Sequence, residues 1–306
     1  MNVQSKRLVV GLGFIGSALT ENFLKIGHVT RALSRGAVPG ICIENASSVD
    51  RIVGDATDSK LMRESLAGID QVYWCAGGQL PVESEEDVLG SIADRCRPLL
   101  IAFKAIEQMA KPPQVFLFSS GGTIYGDYTD VPISEDSLTS PTTAYGIANL
   151  CSELLARKYA ARLSLRLTIF RCANVYGKYQ QPGRSQGLIA TAIESGRNGN
   201  PITIFGDGES IRYYIHIGDV VQIVERVSNL VSSPSVLNVG TGVGTTVNEV
   251  LSAVEKSMDI RFDVKIAESR SSDVRSAVLD PTLVRTLTGI RTISLSDGIL
   301  RTVSGY

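Results

Sequence analysis

Leu8-Val9-Val10-Gly11-Leu12-Gly13-Phe14-Ile15-Gly16-Ser17-Ala18-Leu19 is an apolar run interrupted three times by glycine. The residues before Gly11 have the length and character of a buried strand, and those after Gly16 open an amphipathic helix. The glycines fall in the pattern GxGxxG. In such a turn Gly11 permits the sharp reversal, Gly13 lets backbone approach a pyrophosphate, and Gly16 lets the helix pack closely on the strand. Phe14 and Ile15 complete the first helical turn, whose N–H groups then point at the phosphates. A bare GxGxxG is weak evidence. Placed in the first strand–helix unit of an alternating chain, it reads as a dinucleotide site.

The alternation continues outward. Apolar stretches of strand length lie at residues 7–10, 28–33, 71–75, 114–118 and 165–170, separated by helix-like segments near 14–26, 58–67, 86–110 and 144–161. This order predicts an α/β, Rossmann-type doubly wound parallel sheet with right-handed crossovers. Pro112-Pro113 ends the long segment before the next strand. Beyond Gly177, loops rich in Gly, Pro, Ser and Asn separate shorter elements, which predicts a smaller C-terminal α/β substrate lobe. The expected boundaries are 1–175 for the dinucleotide domain and 176–306 for the lobe, with elements near 212–245 returning to the first domain.

Composition removes several classes of function. With 30 basic and 31 acidic residues the formal charge is -1, so no global field attracts nucleic acid or an anionic membrane. The apolar stretch from Leu8 to Leu19 is too short to cross a bilayer. Cys42, Cys75, Cys96, Cys151 and Cys172 are scattered without a CxxC pair, as expected of reduced thiols in a cytoplasmic protein. No ligand-type residues cluster at metal spacing, and His28 and His216 read as structural. No GxSxG turn marks a hydrolase.

The end of the second strand bears on the cofactor. An NAD site places a carboxylate about 20 residues after the glycines to accept the ribose 2′-hydroxyl. Here Ser34 and Arg35 stand eighteen and nineteen residues after Gly16. Arginine offers a 2′-phosphate a charged fork, so NADP(H) is preferred over NAD(H). Asp55, after the third strand, is placed to meet the adenine amino group, though alone it passes for a helix cap. Ala56 and Ala76 are assigned to the same cofactor groove.

Three further segments carry a family likeness. Phe116-Leu117-Phe118-Ser119-Ser120-Gly121-Gly122-Thr123-Ile124-Tyr125-Gly126 is a strand ending in hydroxyls and glycines. Ser140-Pro141-Thr142-Thr143-Ala144-Tyr145-Gly146-Ile147-Ala148-Asn149 opens a helix, and Leu167-Thr168-Ile169-Phe170-Arg171-Cys172-Ala173-Asn174-Val175-Tyr176-Gly177 ends a strand. Together they resemble the extended short-chain dehydrogenase/reductases, specifically the UDP-glucose 4-epimerase-like nucleotide-sugar group. Later segments agree: the stretch from Ile204 to Asp219, the turn Leu237-Asn238-Val239-Gly240-Thr241-Gly242, and Arg270-Ser271-Ser272-Asp273. The resemblance implies that Asn174, Arg212, Arg270 and Asp273 hold the diphosphate and ribose of a nucleoside-diphosphate sugar. It also implies a homodimer in which the segments near 86–110 and 144–161 from each subunit form a four-helix bundle.

The chain departs from the family where the chemistry lies. The family's catalytic helix carries YxxxK, whose tyrosine exchanges a proton with the sugar oxygen while its lysine grips the nicotinamide ribose. Here Tyr145 is present and the lysine position is Asn149. A free tyrosine ionises near 10, and holding one near neutrality needs roughly 4 kcal/mol, about what one cation at about 4 Å supplies at an effective dielectric of 20. Where a 4-epimerase has Ser or Thr four residues before the Tyr-Gly tyrosine, the chain has Gly121, leaving Ser120 and Thr123 to orient the sugar oxygen. The 4,6-dehydratases carry Asp-Glu at the positions of Gly122 and Thr123, so dehydration is disfavoured. The catalytic set is therefore Tyr145, Thr123, Ser120 and Asn149. NADPH-dependent reduction of a 4-keto sugar is the preferred expectation, ahead of C4 epimerisation through retained NAD. A silent dinucleotide- or sugar-nucleotide-binding protein is the alternative of another class.

Overall fold

The computed structural model describes residues 5–36, 43–44, 46–126, 132–182, 187–268 and 278–305. The chain runs β1 (Lys6–Val10), α1 (Phe14–Lys25), β2 (Val29–Ser34), β3 (Asp50–Val53), α2 (Ser59–Leu66), β4 (Gln71–Trp74), α3 (Pro81–Glu86), α4 (Val88–Ile106) and β5 (Gln114–Ser120). It continues through α5 (Gly121–Ile124), α6 (Ala144–Leu163), β6 (Leu167–Cys172), β7 (Asn174–Tyr176), α7 (Leu188–Asn198), β8 (Ile202–Phe205) and β9 (Ile211–His216). The remainder is α8 (Ile217–Ser228), β10 (Val236–Val239), β11 (Gly244–Thr246), α9 (Val247–Met258), β12 (Val264–Ala267), α10 (Thr282–Thr288) and α11 (Leu295–Ser304). Contacts divide the chain into two units. The first holds Met1–Ser119, Ala144–Phe170 and Ser232–Leu237, and the second holds Ser120–Thr143, Arg171–Val231 and Asn238–Tyr306.

Seven strands form one sheet in the order β10-β6-β5-β4-β1-β2-β3. β1 pairs parallel with both β2 and β4, and the order reverses between them. That reversal is a topological switch point, where doubly wound sheets bind ligands at the carboxyl ends of their strands. The glycine turn follows β1 and Ala76 follows β4, so both flank it. The central strands β1, β4 and β6 are buried on both faces, which is why they read as continuous apolar runs rather than alternating ones. One face packs Leu8, Val72, Trp74 and Leu117 with Phe103 of α4 and Tyr159 of α6. On the other, Tyr73 stacks on Phe116, and Phe116 on Phe170.

The helix expected near 86–110 is α4, and a short helix not expected, α3, precedes it. Asp87 separates the two at φ −140°, ψ 79°, its carboxylate accepting the Gly90 N–H at 2.8 Å as the cap of α4. α4 then ends at Ile106, short of the prolines.

The second unit contains a three-stranded sheet in the order β11-β9-β7 and a parallel pair, β12 with β8. Its core gathers Tyr176, Ile193, Ile204, Tyr214, Val250 and Ile299. His216 ends β9 and caps α8, its Nδ1 accepting the Gly218 N–H at 3.1 Å. Burial, helped by Arg301, lowers its pKa to about 4. The depressed value means that this stability is present above the unfolded value near 6.5 and is lost as pH falls toward about 4. Discounted for partial exposure, the loss is about 1–2 kcal/mol. His216→Asn, which keeps a capping acceptor, is expected to flatten that part of the profile in urea titrations at pH 7 and pH 4.5. An unchanged slope in the variant would overturn the assignment.

Candidate active site

The glycine turn shows why each glycine is needed. Gly11 has φ +94° and its N–H donates to Leu33 O at 2.9 Å, tying the turn to β2. A Cβ there would lie 2.7 Å from Ala76 N, so the turn is pressed against the residues leaving β4. A Cβ on Gly16 would run into Gly11 O and approach Val9 Cγ1 to 3.2 Å. Gly13 differs, because nothing lies within 4 Å of where its Cβ would be. It is also the cap residue of α1, which has no side-chain cap and no acid in its first turn. No side chain therefore caps the N–H groups of that turn, and an anionic pyrophosphate fits there. Ser17 and Thr20 add nothing to this cradle, since their hydroxyls donate to Leu12 O and Gly16 O.

At the end of β2, Arg31 is committed elsewhere. Its Nε meets Asp50 at 2.6 Å and its Nη1 donates to the carbonyls of Glu64, Ser65 and Ala67, closing the C-terminus of α2. Arg35 is exposed instead, and the Ser34 hydroxyl donates to Gly36 O at 3.1 Å. Asp55 is not the helix cap: Asp58 is, accepting from Lys60 N and Leu61 N. Asp55 Oδ1 takes the Thr57 N–H and hydroxyl at 2.8 and 2.7 Å, and these bonds, with Arg35 nearby, hold its carboxyl below the usual range. Ala56 beside it is half-buried.

α6 begins where Ala144 N donates to Glu85 Oε1 at 2.7 Å. Tyr145 is half-buried, and its hydroxyl makes no hydrogen bond to a described residue. Asn149 is 1% exposed and occupied: its Nδ2 donates to Tyr145 O at 2.8 Å, and its Oδ1 accepts the Ser119 hydroxyl at 3.5 Å. A side chain absent from the expected set stands beside them. The guanidinium carbon of Arg95, on α4, lies 5.2 Å from the Tyr145 ring centroid.

In the second unit Ser120 precedes α5 without using its hydroxyl as a cap. Thr123 Oγ1 is buried and has no hydrogen-bond partner. An orphaned buried hydroxyl is costly unless something binds it. Tyr125, by contrast, is committed: its hydroxyl accepts from Arg171 Nη1 at 2.8 Å and donates to Asn238 Oδ1 at 2.9 Å. A side chain at Gly122 would run into the Tyr213 hydroxyl. Burial drives the Tyr213 pKa well above its usual range, so this hydroxyl is a neutral donor. Asn174 is exposed at the start of β7, opposite Tyr214, two residues along β9 from Arg212. Arg212 pairs with Thr245 and donates to Ile211 O at 3.0 Å. Arg270 and Asp273 lie outside the described residues. The structure thus adds Arg95 and Tyr213 to the candidates. No motif marks either, and each stands out only through a neighbour distant in sequence. Among the described residues no three His, Cys, Asp or Glu side chains are grouped to hold a metal ion.

Comparison with known proteins accords with this geometry. The sequence pattern of the NAD dependent epimerase/dehydratase family matches residues 7–240. A UDP-glucose 4-epimerase of Mycolicibacterium smegmatis is 28% identical over 307 residues, covering 98% of each chain. A dTDP-4-dehydro-6-deoxyglucose reductase of Escherichia coli is 28% identical over 232 residues, 76% of this chain and 73% of its own. The solved UDP-glucose 4-epimerase of Thermus thermophilus in complex with NAD superposes with a TM-score of 0.90 at 27% identity, covering 98% of both chains.

Proposed function

The chain belongs to the NAD dependent epimerase/dehydratase family, and from that premise we propose that it transfers hydride at C4 of a nucleoside-diphosphate sugar. The observation that carries the reading is the contrast between two tyrosines. Tyr125 is buried with its hydroxyl doubly bonded, whereas Tyr145 is half-buried with its hydroxyl unused. Tyr145 is the proton donor and acceptor. When bound, the nicotinamide supplies or takes up hydride. In reduction, hydride adds to the carbonyl carbon, the Tyr145 proton passes to its oxygen, and water restores the phenol. Ser120 and Thr123 orient the sugar oxygen, and Asn149 keeps the helix turn under Tyr145 in place. Asn174, Arg212, Arg270 and Asp273 hold the diphosphate and ribose. Dehydration is disfavoured because Tyr213 fills the space an acid at position 122 would need.

The cofactor lies along Gly11, Gly13, Phe14, Ile15, Gly16, Asp55, Ala56 and Ala76. Residues 1–175 are its domain, and 176–306 form the sugar-nucleotide lobe. Ser34 and Arg35 favour NADP(H), and this with Asn149 favours reduction of a 4-keto sugar. Epimerisation with retained NAD is the second reading, favoured by the full-length likeness to UDP-glucose 4-epimerases. Incubation with UDP-glucose, UDP-galactose and a dTDP-4-keto-6-deoxy sugar, following product and reduced cofactor, separates the two. Net consumption of reduced cofactor marks a reductase, and interconversion without it marks an epimerase. Absence of both, with cofactor bound, would mark a silent binding protein. Arg35→Ala is expected to weaken NADP(H) by roughly tenfold to a hundredfold with little effect on NAD(H), a lost charged hydrogen bond being worth about 1.5–3 kcal/mol. Fluorescence titration of both cofactors checks it, and equal or tighter NAD(H) binding by the unaltered protein would overturn the preference.

The assembly proposed is a two-fold homodimer through α4 and α6. These helices already pack together, Phe103 stacking on Tyr159 and Glu107 pairing with Arg162, while Ile147 and Leu154 remain exposed seven residues apart on α6. No helix among the described residues is long and apolar enough to cross a membrane, and the cytoplasm is the proposed compartment.

A further inference from the structure

Arg95 is 7% exposed, its Nε has no hydrogen-bond partner, and no carboxylate among the described residues pairs with it. An uncompensated buried guanidinium is costly, and an apolar side chain of similar length would serve packing better. Its surroundings indicate what it serves. The guanidinium carbon is 5.2 Å from the Tyr145 ring centroid, within reach of a cation–π contact. Its Nη2 is 3.8 Å from where a Cβ on Gly77 would lie, just past β4 and next to Ala76. Tyr145 is the tyrosine whose own helix offers only the neutral, fully engaged Asn149. Of the nearby acids, Glu85 accepts from Ala144 N, and Asp94, adjacent in the chain, forms no ion pair with Arg95. Cys96 and Cys151 are the other titratable groups of α4 and α6 close to this point.

We propose that Arg95 supplies to Tyr145 the positive charge that a lysine at position 149 would otherwise bring. It is a positioning residue: it steadies the phenolate left when Tyr145 has given up its proton, and it fixes the ring over the end of β4. The charge has moved from α6 to the adjacent α4. This rests on Tyr145 as the proton donor.

The test compares the unaltered protein with Arg95→Met, Arg95→Lys and Tyr145→Phe. Arg95→Met is expected to lower kcat roughly tenfold to a hundredfold at neutral pH with KM little changed. It should also displace the basic limb of the pH profile, where the donor loses its proton, upward by roughly one to two pH units, the scale on which a nearby opposite charge acts. Arg95→Lys should restore most of both. In cofactor-free protein, ultraviolet difference titration should show one tyrosine ionising at correspondingly higher pH in Arg95→Met, identified by its absence from Tyr145→Phe. The Tm of Arg95→Met should be unchanged or higher. Loss of activity with an unmoved pH profile, an unmoved tyrosine titration or a lowered Tm would make Arg95 a structural or anion-holding residue and overturn the proposal. Normal turnover in Tyr145→Phe would instead overturn the proton-donor reading, and the tyrosine titration would still decide whether Arg95 acts on Tyr145.

Discussion

Tyr145→Phe is expected to lower kcat by about 10²–10⁴-fold, the usual contribution of a positioned general acid. The variant isolates the hydroxyl, because the ring's contact with Arg95 and the backbone bonds at Ala144 and Tyr145 do not depend on it. The hydroxyl makes no bond to a described residue, so stability should change by less than about 0.5 kcal/mol. Cofactor affinity should also persist, since the glycine cradle is untouched. Tyr125→Phe is the matched control with the opposite outcome. It removes one partner each from Arg171 Nη1 and Asn238 Oδ1 in a buried network and should cost about 1–3 kcal/mol of stability while the folded fraction keeps its kcat. Single-turnover hydride transfer and urea unfolding on both variants give the comparison. A fall of less than tenfold in Tyr145→Phe would mean that the proton comes from water or Thr123 rather than from Tyr145.

The sequence discloses what depends on near neighbours. Gly11, Gly13 and Gly16 act within six residues of one another, so strand, turn and helix can be read together, and the reasons for Gly11 and Gly16 reappear in the collisions a Cβ would suffer. Continuous burial makes the central strands legible for the same reason. The short α3 ahead of Asp87 was not legible, because six residues with Ser84 alone buried show no apolar face to read. Arg95 and Tyr213 were hidden for a different reason. Nothing local distinguishes Arg95 from the other basic residues of its segment until α4 is packed on α6. The meaning of Tyr213 depends on β9 bringing its hydroxyl against Gly122. A departure such as Asn149 is visible in one dimension, whereas what answers it is visible only in three.

Replacement of Asn149 by lysine is the substitution the YxxxK pattern invites, and with Arg95 in place it is expected to harm the protein. Asn149 is 1% exposed, and both ends of its amide are bonded. An ammonium there would lose those bonds, one helical turn from Tyr145, whose ring already has an unpaired guanidinium 5.2 Å from its centroid. Two buried like charges repel, and an uncompensated buried charge costs about 3–5 kcal/mol. Asn149→Lys alone should therefore lose stability on that scale and gain nothing in kcat. Arg95→Asn alone should remain folded and turn over slowly, for want of a cation. The double variant Arg95→Asn/Asn149→Lys exchanges the two positions and should recover stability relative to Asn149→Lys and kcat relative to Arg95→Asn. The resulting coupling, of about 2 kcal/mol or more, is what a double-mutant cycle reads when two residues serve one function. Thermal unfolding and kcat across the four proteins measure it. A stable and faster Asn149→Lys, with no further gain in the double variant, would show that Arg95 contributes no charge to Tyr145 and that Asn149 limits the chemistry by itself.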